Sequence, residues 1–300
     1  LAELVADLED KRQMVFYGPP GTGKTYVAKR IAAEYERAGG GAEIVQFHPS
    51  YSYEDFVEGF RPKLTVDGQA GFDLKDGPLK LIADAARRAQ ENPDAKFVLI
   101  IDELNRGNVA KAFGELYFLL EYRDEAMTLQ YSDKPFELPE NLLFICTMNT
   151  ADRSIALVDA ALRRRFWFEG FFPDKPPIEG LLRRWLHEHQ RGAEWVADLV
   201  DLANERLADR DAAIGPSYFM GTNDELDDER VERIWRRAVM PYVEEQCYGE
   251  EEKLRALQYD RLLSELNASA PDATTPIGAN DASGEAPGAG AEDGDADSAS

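Results

Sequence analysis

The sequence predicts an α/β fold, a three-layer sandwich with a central parallel sheet, followed by a small all-helical domain. Three observations carry that prediction. Gly18-Pro19-Pro20-Gly21-Thr22-Gly23-Lys24-Thr25 fits the phosphate-binding loop G-x-x-x-x-G-K-[ST] at every required position. The runs Phe97 to Ile101 and Leu142 to Cys146 are continuously apolar, as strands buried on both faces must be. After Pro177 the apolar residues recur at helical spacing. The expected boundaries are 1–172 for the nucleotide-binding α/β domain, 173–266 for the helical domain and 267–300 for a disordered acidic tail.

Taken in order, Leu4, Val5 and Leu8 predict a short helix over 1–10. Met14 to Tyr17 suit a buried strand, and Tyr26 to Ala38 read as a helix that stops at Gly39-Gly40-Gly41. Strand, glycine loop and helix are the context the loop motif requires. A second strand is expected at Ile44 to Phe47. His48 to Pro62 is dense in aromatics and has two readings: a helix from Tyr53 with Phe56, Val57 and Phe60 on one face, or a functional surface near the nucleotide. Lys63 to Gly77 reads as a hairpin turning at Asp67-Gly68 or as a loose insert, and Leu79 to Gln90 as a helix.

Val109 to Tyr122 places Phe113, Leu116, Tyr117 and Leu120 on one helical face, which predicts core. A hairpin is expected over 128–138. The strand from Leu142 ends in Thr147-Met148-Asn149, a turn follows at Asp152-Arg153-Ser154, and a helix over 156–162 leads into Arg163-Arg164-Arg165. Phe166 to Phe168 reads as a last strand, and the proline-rich stretch 171–177 as a linker. Leu181, Leu182, Trp185 and Leu186 open the helical domain; Trp195 to Leu202, Val231 to Trp235 and Leu254 to Leu262 continue it.

Composition narrows the function class. The formal net charge of −23 opposes a broad grip on a nucleic-acid backbone, which needs clustered Lys and Arg. The tail, rich in Ala, Gly, Ser, Pro, Asp and Glu with no Lys or Arg, has too little apolar surface to offset the entropy of ordering. No apolar run approaches the roughly 20 residues that cross a bilayer, and no secretory start is present, so a cytoplasmic protein without membrane contact is expected. Cys146 and Cys247 stand far apart with no metal-ligand spacing, and Cys146 is expected in the core. Because the sequence opens on Leu1, an upstream region is expected to be missing.

The chemistry follows from the motifs. In the loop Gly18-Pro19-Pro20-Gly21-Thr22-Gly23-Lys24 the glycines would let backbone N–H groups wrap the phosphates, with Lys24 adding charge at the β/γ end and Thr25 ligating Mg²⁺. Tyr26, directly behind the loop, joins these as a nucleotide-binding candidate. Asp102 and Glu103 follow an apolar strand at the end where ligands sit in open α/β sheets. Asp102 would hold Mg²⁺ and Glu103 would polarise the attacking water. Asn149, at another strand tip, is the candidate γ-phosphate sensor. Asp152 is either a further site residue or a helix N-cap. The three arginines either complement a helix dipole or, in a ring of identical subunits, supply a finger to the neighbouring site.

These pieces resemble the AAA+ superfamily and, within it, the McrB-like branch, the NTPase subunit of modification-dependent restriction systems. The resemblance rests on Gly18 to Thr25, His48 to Pro62, Ile101 to Arg106, Gly114 to Tyr117, Met148-Asn149-Thr150-Ala151-Asp152-Arg153-Ser154 and Ala161 to Phe166. It implies a hexameric ring with nucleotide between subunits, GTP favoured over ATP, and a McrC-like nuclease partner through which, or through a missing domain, DNA is reached. It also implies Arg106 as an interface arginine beside Arg164 and Arg165, and a lid whose stretch from Ile214 to Met220 faces the nucleotide, with Ser217 and Tyr218 as candidates. The guanine-reading string N-K-x-D does not occur, so the base stays open between ATP and GTP. Two other classes fit the same motifs: a MoxR-like chaperone that remodels protein, and a nucleotide-dependent scaffold that does not hydrolyse.

Overall fold

In the computed structural model, which describes residues 1–64, 70–152, 160–221 and 225–269, five strands form one parallel sheet. They are β1 (Gln13–Gly18), β2 (Gly41–Gln46), β5 (Phe97–Asp102), β8 (Leu142–Asn149) and β9 (Trp167–Gly170), in the spatial order β2-β5-β8-β1-β9. Two antiparallel ribbons stand apart from it, β3 (Glu58–Leu64) with β4 (Ala70–Asp76), and β6 (Met127–Thr128) with β7 (Pro135–Phe136).

The period of two along each strand explains why the strand sequences are continuously apolar. Met14, Phe16, Val98, Ile100, Leu143 and Ile145 point to one face, where they meet helices α1 (Ala2–Lys11) and α2 (Lys24–Arg37). Val15, Leu99, Ile101, Phe144 and Cys146 point to the other. That face is covered by α3 (Tyr53–Phe56), α4 (Pro78–Arg88), α5 (Val109–Phe113) and α6 (Ala160–Arg165). Both faces are therefore dry, and the three layers follow.

The remaining helices, α7 (Leu181–His189), α8 (Trp195–Leu207), α9 (Asp228–Ile234), α10 (Met240–Gln246), α11 (Glu251–Ala256) and α12 (Tyr259–Ser269), enclose a second core. Its centre is Trp235, fully buried, whose indole N–H donates to Leu257 O at 3.0 Å. No helix among the described residues is long and apolar enough to cross a membrane.

Several expectations change in detail. The helix expected over Val109 to Tyr122 breaks after Phe113 and continues as a 3₁₀ helix over Gly114–Leu120. Gly114 has φ 53, and a Cβ there would stand 2.8 Å from the Tyr53 ring, so the break lets the aromatic stretch pack against this segment. Periodicity still selected the core, since Phe113, Leu116 and Leu120 are buried. The helix expected to carry Phe56, Val57 and Phe60 ends at Phe56, and Phe60 lies on β3, exposed. Tyr53, Phe56 and Val57 are core, so packing accounts for that part of the aromatic stretch. Phe171 and Phe172 of the proline-rich stretch are buried, Phe171 against Phe16 with ring centroids 4.8 Å apart. The final helix carries residues 267–269, which were assigned to the tail. The Asp67-Gly68 turn, Arg153, Ser154 and residues 270–300 lie outside the described residues.

β3 begins on a buried charge, two residues after α3 ends. Glu58 is fully buried and accepts hydrogen bonds from Ser132 N–H at 2.8 Å, Tyr131 N–H at 3.3 Å and Lys80 Nζ at 2.7 Å. Lys80 also reaches Asp76 at 2.6 Å. One carboxylate thus ties both ribbons to α4. Burial alone would raise the Glu58 carboxyl, but the hydrogen bonds and charge of Lys80, with those of Ser132, hold it below its ordinary value.

Removing Lys80 leaves that carboxylate buried without its counter-charge. Lys80→Met is expected to cost about 2 kcal/mol or more in urea unfolding at pH 7. Because the folded-state value of Glu58 is depressed, its contribution is complete above the unfolded value of about 4.3 and is lost as pH falls through the folded value. The variant should therefore show a shallower acid-side loss, and an unchanged slope would refute this account of Glu58.

Candidate functional site

β1 ends at Gly18, where a Cβ would lie 2.2 Å from Phe171 O, so only glycine lets the next segment pass. Gly21 (φ 78) and Gly23 (φ 87) take the left-handed turns that bring the chain round to α2. No side chain caps α2 at Gly23, so its first N–H groups face the loop. Lys24 is buried and folds back into the concavity, donating to Gly18 O at 2.9 Å and Pro19 O at 2.7 Å. Thr22 Oγ1, itself bound to Pro19 O at 2.9 Å, lies 3.4 Å from the same ammonium. Burial pushes the Lys24 ammonium down to about 8, against the charges of Glu103 and Asp102. Tyr26 is 68% exposed on the first turn of α2.

The two acids stand at the end of β5. Register pairs Ile101 with Cys146 on β8, so the next residues, Asp102 and Thr147, are neighbours. Asp102 Oδ1 accepts from Thr25 Oγ1 at 2.8 Å and from Thr147 Oγ1 at 2.5 Å. Glu103 leaves the strand in the left-handed region, φ 56 and ψ 45, with its N–H on Thr147 Oγ1 at 3.3 Å. A non-glycine residue held there is costly enough to require support from its surroundings. That support is Asn149, whose Nδ2 donates to Glu103 Oε1 at 2.6 Å, and Arg106, whose Nε is 3.2 Å from Oε2. Burial raises the Glu103 carboxyl, opposed by the Arg106 charge.

Asn149 is positioned in turn, its backbone O accepting from Asn105 Nδ2 at 3.0 Å. Asp152 Oδ2 is 3.7 Å from an Arg106 guanidinium nitrogen. The structure therefore brings Lys24, Thr25, Asp102, Glu103, Arg106, Asn149 and Asp152 into one site. Thr147 was missed by sequence reasoning; its place at a strand tip beside Asp102 follows only from strand register.

The helical domain touches this site directly. Ser217 N–H donates to Gly21 O at 3.0 Å, and a Cβ on Gly215 would lie 2.3 Å from Gly21 C. A Cβ built on Gly21 would stand 3.0 Å from Ser217 Oγ and 3.4 Å from the Tyr218 ring. Asn204 holds the approach by accepting from Ile214 N–H at 2.7 Å and donating to Ile214 O at 3.1 Å. Thr150 joins the same contact, its N–H on Gly18 O at 3.1 Å and its Oγ1 on Asp211 O at 3.0 Å.

The arginine run lies elsewhere. Trp167 pairs with Met14, at the start of β1, so α6 ends near the opposite end of the strand from Gly18, roughly 16 Å away at strand rise. Arg163 sits over Phe168 at 5.4 Å. Arg165, 11% exposed at its side chain, lies over Tyr117 at 4.6 Å, donates to Ala161 O at 3.1 Å and is 3.2 Å from Glu121. Arg164, 68% exposed, reaches Glu121 Oε2 at 2.7 Å. Packing occupies Arg163 and Arg165, whereas Arg164 is exposed apart from its contact with Glu121.

Residues 13–166 match the family model described as AAA domain (dynein-related subfamily), and residues 196–255 match McrB, alpha-helical lid domain. The Type IV methyl-directed restriction enzyme EcoKMcrB subunit of Escherichia coli (strain K12) is 37% identical over 263 residues, covering 80% of this chain and 55% of that protein. The Type II restriction enzyme BsuMI component YdiS of Bacillus subtilis (strain 168) is 26% identical, covering 69% of this chain and 72% of its own length. A mitochondrial Lon protease homolog of Caenorhabditis elegans is 27% identical over 79% of this chain but only 23% of its own length. The chain thus spans little more than half of the Escherichia coli relative. The sheet order, the loop between β1 and α2 and the two family matches agree: the chain belongs to the dynein-related subfamily of AAA domains and carries a lid of the McrB kind.

Proposed function

We propose that this chain is a ring-forming nucleoside triphosphatase, hydrolysing ATP or GTP, and the motor subunit of a McrBC-like modification-dependent restriction system. The observation that carries the hydrolytic reading is the convergence of Lys24, Thr25, Asp102, Glu103 and Asn149 around one loop. The restriction reading is supported by the restriction-enzyme relatives and the lid match. In that system a McrC-like nuclease subunit is the partner, and DNA is reached through it or through sequence outside this chain.

The roles follow from the geometry. The loop N–H groups and Lys24 bind phosphate oxygens, and Lys24 must release Gly18 O and Pro19 O to do so. Thr25 Oγ1 and an Asp102 carboxylate oxygen are hard donors 2.8 Å apart, a set that fits Mg²⁺, which when bound would neutralise phosphate charge. Glu103, its carboxyl raised by burial, orients and accepts a proton from the attacking water. Asn149 holds Glu103 and is placed to exchange it for a γ-phosphate oxygen, while Arg106 and Asp152 set the charge around Glu103. Arg164, too far from its own loop, serves the neighbouring subunit's site in a hexameric ring, which stabilises transition-state charge.

Phosphate release from ATP and GTP, measured in parallel with and without a McrC-like protein, is expected to rise with protein concentration as rings form. Absence of turnover with both nucleotides in the assembled protein would overturn the hydrolytic reading. Glu103→Gln should lower kcat roughly 100-fold or more while nucleotide still binds. Lys24 gives a pH signature. In the free protein it is protonated below about 8 and loses its proton above, whereas bound phosphate favours the charged form. Above pH 8 affinity for a fluorescent triphosphate analogue should therefore fall by up to about tenfold per pH unit. A slope that persists in Lys24→Met would assign the titration to another group.

A further inference from the structure

Among the described residues, Arg164 and Arg165 at the end of α6 share one carboxylate that the nucleotide site does not use. Glu121 lies just past the 3₁₀ helix over Gly114–Leu120, and its Oε2 accepts from Arg164 at 2.7 Å and stands 3.2 Å from an Arg165 nitrogen. Two guanidinium groups on adjacent residues repel each other; the carboxylate between them lets both stay.

The two arginines are held very differently. Arg165 stacks over Tyr117 and bonds to Ala161 O, while its own backbone O accepts from Gln13 Nε2 at 2.9 Å. Gln13 is buried at the start of β1, donates also to Leu120 O at 2.5 Å and accepts from Arg123 at 2.7 Å. Arg123 is half-buried, donating to Leu142 O at 2.7 Å and lying over the Phe144 ring at 5.3 Å. A chain of fixed contacts therefore runs from the sheet through Gln13 to Arg165 and Glu121. Arg164 is the last link, exposed, with Glu121 as its ion-pair partner.

We infer that Glu121 is the positioning residue for Arg164, holding its guanidinium outward in the orientation in which it meets the neighbouring subunit's nucleotide; this rests on the in-trans reading of Arg164 proposed above. A guanidinium has five N–H donors, and one Nη on Glu121 leaves the rest of the fork for phosphate. Without Glu121, the carbonyls at the end of α6 would compete for Arg164 as Ala161 O already holds Arg165. The Arg164–Glu121 pair contributes little to stability, because Arg164 is exposed, whereas the Arg165 contact is partly buried and is the one a structural role would use.

The test is a double-mutant cycle in the assembled full chain with Glu121→Gln and Arg164→Ala. Glu121→Gln is expected to lower kcat at least tenfold with KM, nucleotide affinity and melting temperature unchanged, and to add nothing further in the Arg164→Ala background. Mixing Glu121→Gln subunits with Glu103→Gln subunits should restore turnover, since each supplies what the other lacks. Full activity in Arg164→Ala would remove the in-trans reading and this inference with it. A loss in Arg164→Ala with wild-type turnover in Glu121→Gln would remove the positioning role alone. Additive losses, or a lowered melting temperature that accounts for the loss, would make Glu121 a structural residue.

Discussion

One carboxylate oxygen connects the three elements that make the site. Asp102 Oδ1 accepts from Thr25 on the first turn of α2 and from Thr147 at the tip of β8, while Asp102 itself ends β5. Neither donor can reach it unless β5 and β8 are paired in the observed register and β1 lies on the far side of β8. A slip of one residue would turn Asp102 and Thr147 to opposite faces of the sheet. The dry core on both faces prevents that slip, since it would carry Leu99 and Ile101 into the layer that holds Val98 and Ile100. Hydrophobic burial thus fixes a hydrogen bond that contributes little stability itself.

The same packing sets the electrostatics. Lys24 is an ammonium buried against carbonyl oxygens, with Asp102 and Glu103 near enough to favour its charge but not enough to offset burial. Glu103 is a carboxylate whose burial is only partly offset by Arg106. Both groups are therefore kept away from their ordinary proton affinities in the direction of neutrality. A polyanion entering between them would reverse that balance at Lys24 and increase it at Glu103, which suits one group to binding and the other to accepting a proton.

What was legible in the sequence depended on local order. The loop from Gly18 to Thr25, the apolar runs ending in Asp102-Glu103 and Asn149, and the helical spacing after Pro177 each express a constraint satisfied within a short window. Thr147 and Glu121 carry no such signal, because one acquires its meaning from strand register and the other from a residue 43 positions away. The break at Gly114 was hidden for a related reason: the apolar spacing of Phe113, Leu116 and Leu120 suits an α-helix, and only contact with Tyr53 shows why it stops. Phe60 was misplaced because its aromatic neighbours masked the effect of Glu58, whose burial is made possible by Lys80 and by distant N–H groups.

The parallel sheet also separates the parts of the site. In a parallel strand all C-terminal tips lie at one end, which gathers Gly18, Asp102 and Asn149, and all starts lie at the other. The helix that carries Arg164 leads into the start of β9 and so must end at the opposite edge. No side-chain rotation spans the roughly 16 Å between them within one chain. Arg164 is tied there to Glu121, beside an Arg165 held by Gln13 and Tyr117, and a second copy placed with its loop against that edge would give it a nucleotide to act on.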